Sequence, residues 1–241
     1  MAGTNNNDTT TSPKVKRVLM YGNSHFKYLK NFINRSADPS QRGRFKKNLQ
    51  NFCLKRDQVD LCGVGGIKTS HLVSGKKKKG INIKESFEEK IRAFKPHSLI
   101  LWTLDNDIDE NSTAEEVAMY IMYVCLVIRR KFKCIEEITI CQALPRHTDK
   151  WHKDDAGLMQ HVEEIKNYNK IAKDVHSILV QEVQNYAGVR FFQDYDFSLP
   201  GECKLRYEAG GNNYKPDGIH LNDGGLKVFY SAVRALVTSS D

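Results

Sequence analysis

The sequence has few of the features that mark extracellular or metal-stabilised proteins. Its 241 residues include six cysteines, but these form no C-x-x-C pair, and no Cys/His spacing typical of a metal site occurs. Several cysteines lie inside apolar runs, which favours buried free thiols in a reducing compartment. Residues 1–13 are rich in Asn and Thr and lack the apolar stretch of a signal peptide. The sequence therefore predicts an intracellular, cytoplasmic protein without a disulfide framework, and it leaves a nuclear location open.

Long hydrophobic runs are also absent. The longest apolar stretch covers residues 117–128, which is shorter than the roughly 20 residues of a membrane-spanning helix, and charged residues close it on both sides. No internal repeat occurs, and no linker divides the chain. We therefore expect no membrane span, a disordered leader over residues 1–13 and a single domain over residues 14–241. The apolar share of 40% is sufficient for a core.

Positive charge is in excess, with a net charge of +8 at pH 7, and a run of four lysines carries half of it. A basic surface attracts phosphate groups, so one interpretation is RNA contact through two flexible surface loops, at residues 36–47 and 75–80. The other interpretation is a solvated face that binds nothing. The predicted nucleic-acid contacts are Arg42, Arg44, Lys76, Lys77, Lys78 and Lys79.

Short apolar runs alternate with helical patterns along the chain. Continuous apolar runs of this length are typical of parallel strands that are buried on both faces. The predicted strands lie at residues 15–21, 59–62, 98–104, 138–140 and 188–192. The predicted helices lie at residues 25–33, 86–94, from a capping box at 112–115 to about 131, 159–185 and 225–237. This alternation predicts an α/β fold, a three-layer α/β/α sandwich around a five-stranded parallel, flavodoxin-like sheet.

Four polar or glycine-rich segments follow the predicted strands, where doubly wound sheets bind their ligands. They are Gly22-Asn23-Ser24, residues 63–66, Asp105-Asn106-Asp107 and Asp217-Gly218-Ile219-His220. A serine, a histidine and an aspartate that meet there supply a nucleophile, a general base and the group that orients the base. Backbone N–H groups beside glycines and an asparagine amide supply donors for an oxyanion. The pattern predicts acyl transfer by Ser24, His220 and Asp217.

The order of these segments resembles that of the SGNH (GDSL-like) hydrolase superfamily, whose blocks carry Ser, Gly, Asn and His in this sequence. The resemblance covers residues 15–237 and implies a serine esterase that acts on a small acyl or acetyl ester, with no metal and no cofactor. It implies Ser24 as the nucleophile, His220 as the base and Asp217 as its orienter. The implied oxyanion hole consists of Ser24, Gly66 and Asn106. The G-x-S-x-G elbow of α/β-hydrolases is absent, which disfavours that fold.

The chain is similar in more detail to esterase-like domains carried by some non-LTR retrotransposons and their domesticated relatives. Those domains have a small-x-Ser-His first block, a GVGG-like second block and a D-G-[IV]-H-L-N fourth block. This sequence matches them at residues 22–25, 63–66 and 217–222, and also at residues 144–146 and 167–169. The OSK domain of Oskar resembles the same fold, lacks the catalytic set and binds RNA. That resemblance implies the alternative function, a non-catalytic RNA-binding or protein-interaction module.

Two residues depart from the family pattern. Asn23 stands where GDSL enzymes usually have aspartate, and Leu104 stands where the third block has glycine. The second departure predicts a disturbed oxyanion hole beside Asn106 and hence modest activity. Within the second block, Gly65 is the alternative to Gly66 as the contributor to that hole.

Simpler interpretations exist for several of these residues. A serine that follows a strand often caps the next helix, which is the alternative role for Ser24. Asp105 and Asp107 resemble the first ligands of a calcium loop, but Glu110 replaces the glycine that such a loop needs, so no metal site is predicted. The lysine loop at residues 75–80 is expected to lie away from Ser24.

Overall fold

A five-stranded parallel sheet forms the centre of the protein. The computed structural model describes residues 16–36, 52, 58–78, 80–108, 112–146, 158–193, 213–214 and 219–238. The strands of the sheet are β1 (Val18–Gly22), β2 (Val59–Gly63), β3 (Ser98–Trp102), β4 (Glu137–Cys141) and β5 (Val189–Phe192). Their order is β2-β1-β3-β4-β5, and every neighbouring pair is parallel. The predicted α/β fold with a flavodoxin-like sheet is confirmed.

Helices cover both faces of the sheet and complete the three layers. They are α1 (Ser24–Ser36), α2 (Ile83–Phe94), α3 (Ala114–Lys131), α4 (Leu158–Glu182) and α5 (Asp223–Thr238). One core cluster joins the sheet to α2, α3 and α4, and a second cluster joins it to α1 and α5. Among the helices that the structure describes, none is both long enough and apolar enough to cross a membrane.

Strand β1 contributes side chains to both core clusters. Leu19 and Tyr21 belong to the cluster on one face, and Val18 and Met20 belong to the cluster on the other. Successive side chains of a strand point to opposite faces, so a strand covered by helices on both sides needs apolar residues at every position. This burial explains the continuous apolar run in the sequence.

Side-chain caps set helix starts that differ slightly from the predicted ones. Asn82 accepts the N–H of Glu85, so α2 begins at residue 83 rather than at 86. The capping box before α3 joins Thr113 to Glu116, one residue later than predicted. The Glu116 N–H donates to the Thr113 hydroxyl and the Thr113 N–H donates to the Glu116 carboxylate, each at 3.2 Å.

The prediction of a flexible loop at residues 75–80 is wrong. Lys77–Lys78 pairs with Ile81–Asn82 in a short antiparallel hairpin, and Gly80 adopts a φ of +78° in its turn. Glycine adopts this left-handed conformation at little cost, which suits it to a tight turn. Ser36, where the other predicted loop was to begin, is the last residue of α1. Residues 37–47 lie outside the described residues, and so does the leader at residues 1–13.

Candidate active site

Ser24 begins helix α1, directly after strand β1 ends at the carboxyl edge of the sheet. The preceding residue, Asn23, caps this helix, because its side-chain oxygen accepts the backbone N–H of His25 at 2.9 Å. The alternative interpretation of Ser24 as the cap is therefore wrong. The Ser24 side chain instead lines a cavity at this edge of the sheet.

His220 reaches the same cavity from the other end of the chain. Its Nε2 atom lies 3.2 Å from Ser24 Oγ, so the predicted proximity of these two residues is confirmed. The ring also makes a T-shaped contact with Tyr28, at a centroid distance of 4.9 Å. Asp217, the predicted orienter, lies outside the described residues.

Asn222 fixes the segment that carries His220. Its backbone N–H donates to the Asn213 carbonyl at 2.9 Å, and its side-chain amide donates to the Tyr214 carbonyl at 3.1 Å. Its side-chain oxygen accepts the N–H of Gly225 at 3.0 Å, in the first turn of α5. Because Asn222 follows His220 by two residues, these bonds tie the histidine to α5 and to the extended segment before it.

The cavity that holds Ser24 and His220 has a volume of about 410 Å³. Gly66 and Asn106, which were predicted to complete the site, also line it. Further lining residues are Lys27, Gly65, Asp105, Leu144, Arg146 and Tyr168. Segments that are far apart in the sequence therefore meet where the parallel strands end.

Three residues that line the cavity have hydrogen-bond donors that the fold leaves available. Within the described part of the chain, no hydrogen bond engages the backbone N–H of Ser24 or of Gly66. The Asn106 side-chain amide donates to the Ile67 carbonyl at 2.9 Å, and an amide nitrogen carries a second N–H. Gly66 has a φ of +65°, which favours glycine at this position. Donors of this kind can stabilise an oxyanion.

Leu104 does not line this cavity. It begins a 3₁₀ turn at Leu104–Asn106, and its side chain is fully buried in the core cluster that includes α2, α3 and α4. The same turn brings Asn106 to the cavity wall. The leucine side chain therefore takes no space from an oxyanion.

A buried pair of side chains, Asn23 and Asp105, supports the first turn of α1. Asp105 is 6% exposed, and its carboxylate accepts the Asn23 amide at 2.6 Å and the Leu144 backbone N–H at 2.7 Å. The same carboxylate lies 3.8 Å from His25 Nε2. An aspartate in place of Asn23 would set two carboxylates against each other, so Asp105 gives a physical reason for the departure at Asn23.

A second pair, buried Thr69 and half-buried Asp107, joins the loops that carry Gly66 and Asn106. The Thr69 backbone N–H donates to both Asp107 carboxylate oxygens, at 2.9 and 3.0 Å, and its hydroxyl donates as well. Burial raises the pKa of Asp107 to about 6, against the lowering effect of the Thr69 hydrogen bonds. Over the residues described, no three His, Cys, Asp or Glu side chains are grouped so that they could hold a metal ion.

Lys78 touches the second glycine block, contrary to the expectation that the lysine segment lies away from Ser24. Its ammonium group donates to the Gly66 carbonyl. Lys78 and Gly66 are twelve positions apart in the sequence, and the hairpin brings them into contact. Lys76 and Lys77 are exposed, while Arg42, Arg44 and Lys79 lie outside the described residues.

Arg146 and Tyr168 are site residues to which the sequence pattern assigned no role. Both line the cavity, and the Arg146 guanidinium lies over the Tyr168 ring at 3.7 Å from its centroid. Arg146 follows β4 at the same carboxyl edge as the other site segments. The available signals for it were the rule that ligands bind at this edge and the motif match at residues 144–146 and 167–169.

Solved structures of other proteins share this fold. A GDSL-like lipase from Bacteroides thetaiotaomicron superposes with a TM-score of 0.59 at 14% sequence identity, over 95% of this chain and 91% of that one. A carbohydrate acetylesterase family member from Sinorhizobium meliloti superposes with a TM-score of 0.55 at 15% identity, over 93% of this chain and 98% of that one. No protein-family model and no curated protein sequence matches the chain. At these identities the similarity shows the fold, which is that of the GDSL-like hydrolases.

Proposed function

We propose that this protein is a serine esterase that hydrolyses a small acyl or acetyl ester, with Ser24 as nucleophile, His220 as general base and Asp217 as its orienter. The observation that carries the proposal is the 3.2 Å separation of Ser24 Oγ and His220 Nε2 inside a cavity. Nucleophile and base need this hydrogen-bond reach for proton transfer. The fold that the chain shares with a GDSL-like lipase and a carbohydrate acetylesterase family member supports the same class of reaction.

The proposed reaction has two halves. Ser24 Oγ attacks the ester carbonyl carbon while its proton passes to His220 Nε2. The tetrahedral intermediate then collapses, the bond to the alcohol oxygen breaks, and His220 returns the proton to the leaving alcohol. In the second half His220 deprotonates a water, and the resulting hydroxide attacks the acyl carbon bound to Ser24. The bond between that carbon and Ser24 Oγ then breaks, His220 returns the proton to Oγ, and the carboxylic acid leaves.

The negative charge that develops on the carbonyl oxygen needs preorganised donors. The Ser24 and Gly66 backbone N–H groups and the Asn106 amide are the proposed donors, because they line the cavity with N–H groups available for a new acceptor. In a site shielded from water such donors contribute a large part of the rate. Together with α1, whose N-terminus favours negative charge, they account for stabilisation of the oxyanion without a metal.

A fluorophosphonate probe tests the nucleophile directly. We expect the wild-type protein to be labelled covalently at one residue, Ser24, because only an activated serine reacts with such a probe. Mass spectrometry of the labelled peptide identifies the site, and Ser24→Ala is the matched control. Labelling of a different serine, or equal labelling of the Ser24→Ala variant, would contradict the proposed function.

Lys78 is expected to support turnover by holding the peptide that carries Gly66. Replacing it in the variant Lys78→Met should lower kcat for p-nitrophenyl acetate about 10- to 100-fold, because an oxyanion donor that shifts by about 1 Å loses much of its effect. KM should change less than kcat. Lys133→Met, at the opposite edge of the sheet, is the matched control. Wild-type kcat in the Lys78→Met variant would show that this contact does not serve catalysis.

RNA binding is the second candidate function, favoured by the net charge of +8 and by the exposure of Lys76 and Lys77. The resemblance to the OSK domain, which shares the fold and binds RNA, is the reason that the sequence offered this alternative. Its test must leave Lys78 in place, because that lysine contacts the active-site loop.

A combined variant, Lys76→Ala, Lys77→Ala and Lys79→Ala, is expected to flatten the salt dependence of RNA binding. Each RNA phosphate that the variant no longer neutralises should reduce the slope of log K against log[salt] by about 0.7 for a single strand. Fluorescence anisotropy with a labelled RNA oligonucleotide at several salt concentrations measures this slope. If the wild-type protein shows no binding at low salt, the lysines are a solvated face and the RNA-binding function is excluded.

A further inference from the structure

The charges that line the active-site cavity are unbalanced. Among the described residues that line it, Lys27 and Arg146 are cationic and Asp105 is acidic. The Asp105 carboxylate is 6% exposed and already accepts hydrogen bonds from Asn23 and from the Leu144 backbone. Among the described residues, no carboxylate forms an ion pair with Lys27 or Arg146. The described part of the cavity wall therefore carries more positive than negative charge.

Arg146 is held rigidly before any ligand arrives. Its backbone N–H donates to the side-chain oxygen of Asn169 at 2.9 Å, and its carbonyl accepts the Asn169 amide at 2.9 Å. Its guanidinium lies over the Tyr168 ring and donates to the Asp105 backbone carbonyl at 3.3 Å. Burial raises the pKa of Tyr168 well above its usual value, so the ring carries no charge. All these partners are neutral groups, and none cancels the guanidinium charge.

A fixed guanidinium is well suited to binding an oxyanion. Its planar N–H groups match the geometry of a carboxylate or phosphate, and a side chain that is already ordered loses little entropy on binding. Lys27 lies three residues after Ser24 on α1, so the two side chains project from the same face of the helix. An exposed lysine at this position adds a second positive charge beside the nucleophile.

We propose that the ester substrate carries an oxyanion group, a carboxylate or a phosphate, which Arg146 binds while Lys27 adds a second positive charge. The inference rests on the proposed esterase function and narrows its substrate class. Neutral small esters fit the catalytic residues but leave both cations without a role. An anionic ester uses them to bind and to orient the scissile carbonyl against Ser24.

The test compares two acetate esters that differ in charge, 4-acetoxybenzoate and its methyl ester, each corrected for its hydrolysis by hydroxide. The wild-type protein should prefer the anionic ester in corrected kcat/KM by about 10- to 100-fold, the usual effect of a charge-assisted hydrogen bond. The variant Arg146→Gln should lose most of this preference, mainly through KM. Arg146→Lys keeps the positive charge but lacks the planar guanidinium, so it should retain part of the preference for the anionic ester. Arg234→Gln, an exposed change on α5, is the matched control and should keep the wild-type preference.

A third ester, 4-acetoxyphenyl phosphate, distinguishes the two oxyanions. A higher corrected kcat/KM than that of 4-acetoxybenzoate assigns the site to phosphate, and a lower one assigns it to carboxylate. Equal corrected kcat/KM for the charged and neutral esters in the wild-type protein would overturn the proposal. A loss that is the same for both esters in Arg146→Gln would also overturn it, since Arg146 then acts only in the structure.

Direct binding separates the anion site from the proposed reaction. Titration calorimetry with 4-hydroxybenzoate, the anionic product, should show binding to the wild-type protein that is about 10-fold or more weaker in Arg146→Gln. If none of the esters is hydrolysed but this difference is found, the esterase function fails and the anion site stands. Equal binding by the two proteins overturns the anion site itself.

Discussion

Replacing Ser24 with alanine is expected to lower kcat for p-nitrophenyl acetate by about 10³-fold or more. The variant lacks the nucleophile, the hydroxyl that lies 3.2 Å from His220 Nε2 in the wild-type protein. What remains is the effect of binding and of the oxyanion donors, which act on water attack at a much lower rate. Steady-state kinetics with p-nitrophenyl acetate and p-nitrophenyl butyrate, corrected for the spontaneous rate of hydrolysis, measures the loss of kcat.

The control variants make this result specific. Ser231→Ala removes an exposed hydroxyl from α5, where it donates to the Lys227 carbonyl, and should leave kcat unchanged. His220→Ala should lower kcat about as much as Ser24→Ala does. The double variant should lower kcat little further, because nucleophile and base act as one unit. Equal turnover by the wild-type protein and Ser24→Ala would rule out the serine mechanism and indicate surface hydrolysis or a contaminant.

Changing Asn23 to aspartate is expected to lower the free energy of unfolding by about 3 kcal/mol at neutral pH. The substitution turns the donor that meets Asp105 at 2.6 Å into a second carboxylate in a buried site. Like charges at this distance cannot both ionise without a large penalty, so one pKa of the pair rises in the folded state. A pKa raised by folding gives stability that is present at low pH and is lost as the pH rises through it. The loss from Asn23→Asp should therefore be larger at pH 8 than at pH 5.

Exchanging the asparagine and the aspartate between positions 23 and 105 tests whether charge repulsion causes the loss of stability. Adding Asp105→Asn to the Asn23→Asp variant restores one donor facing one carboxylate, so the double variant should recover a large part of the lost stability. The coupling between neighbouring residues in such a cycle is typically about 0.5–3 kcal/mol. Urea unfolding of the four proteins at both pH values provides the measurement. Additive losses, with no recovery in the double variant, would show that charge repulsion is not the cause.

The sequence alone determined the fold class of this protein. Strands buried on both faces must be apolar throughout, and amphipathic helices must alternate with them, so the parallel α/β sheet was visible in the pattern of β1 and its counterparts. The rule that ligands bind at the carboxyl edge of such a sheet then predicted that Ser24 and His220 meet. Their separation of 3.2 Å agrees with that prediction although the two residues are 196 positions apart in the sequence.

Only the tertiary structure decided which side chains contact each other within the site. Sequence periodicity indicates which face of an element a side chain occupies, but it does not say which atom of a distant segment lies within 3 Å of it. That Asn23 caps α1 and faces Asp105, and that Lys78 donates to the Gly66 carbonyl, depend on how three loops pack against one another. The role of Arg146 likewise became visible only when α4 placed Tyr168 beneath its guanidinium. Hydrogen bonds and charge balance are short-ranged and directional, so they are settled by the packed geometry rather than by the local pattern of residues.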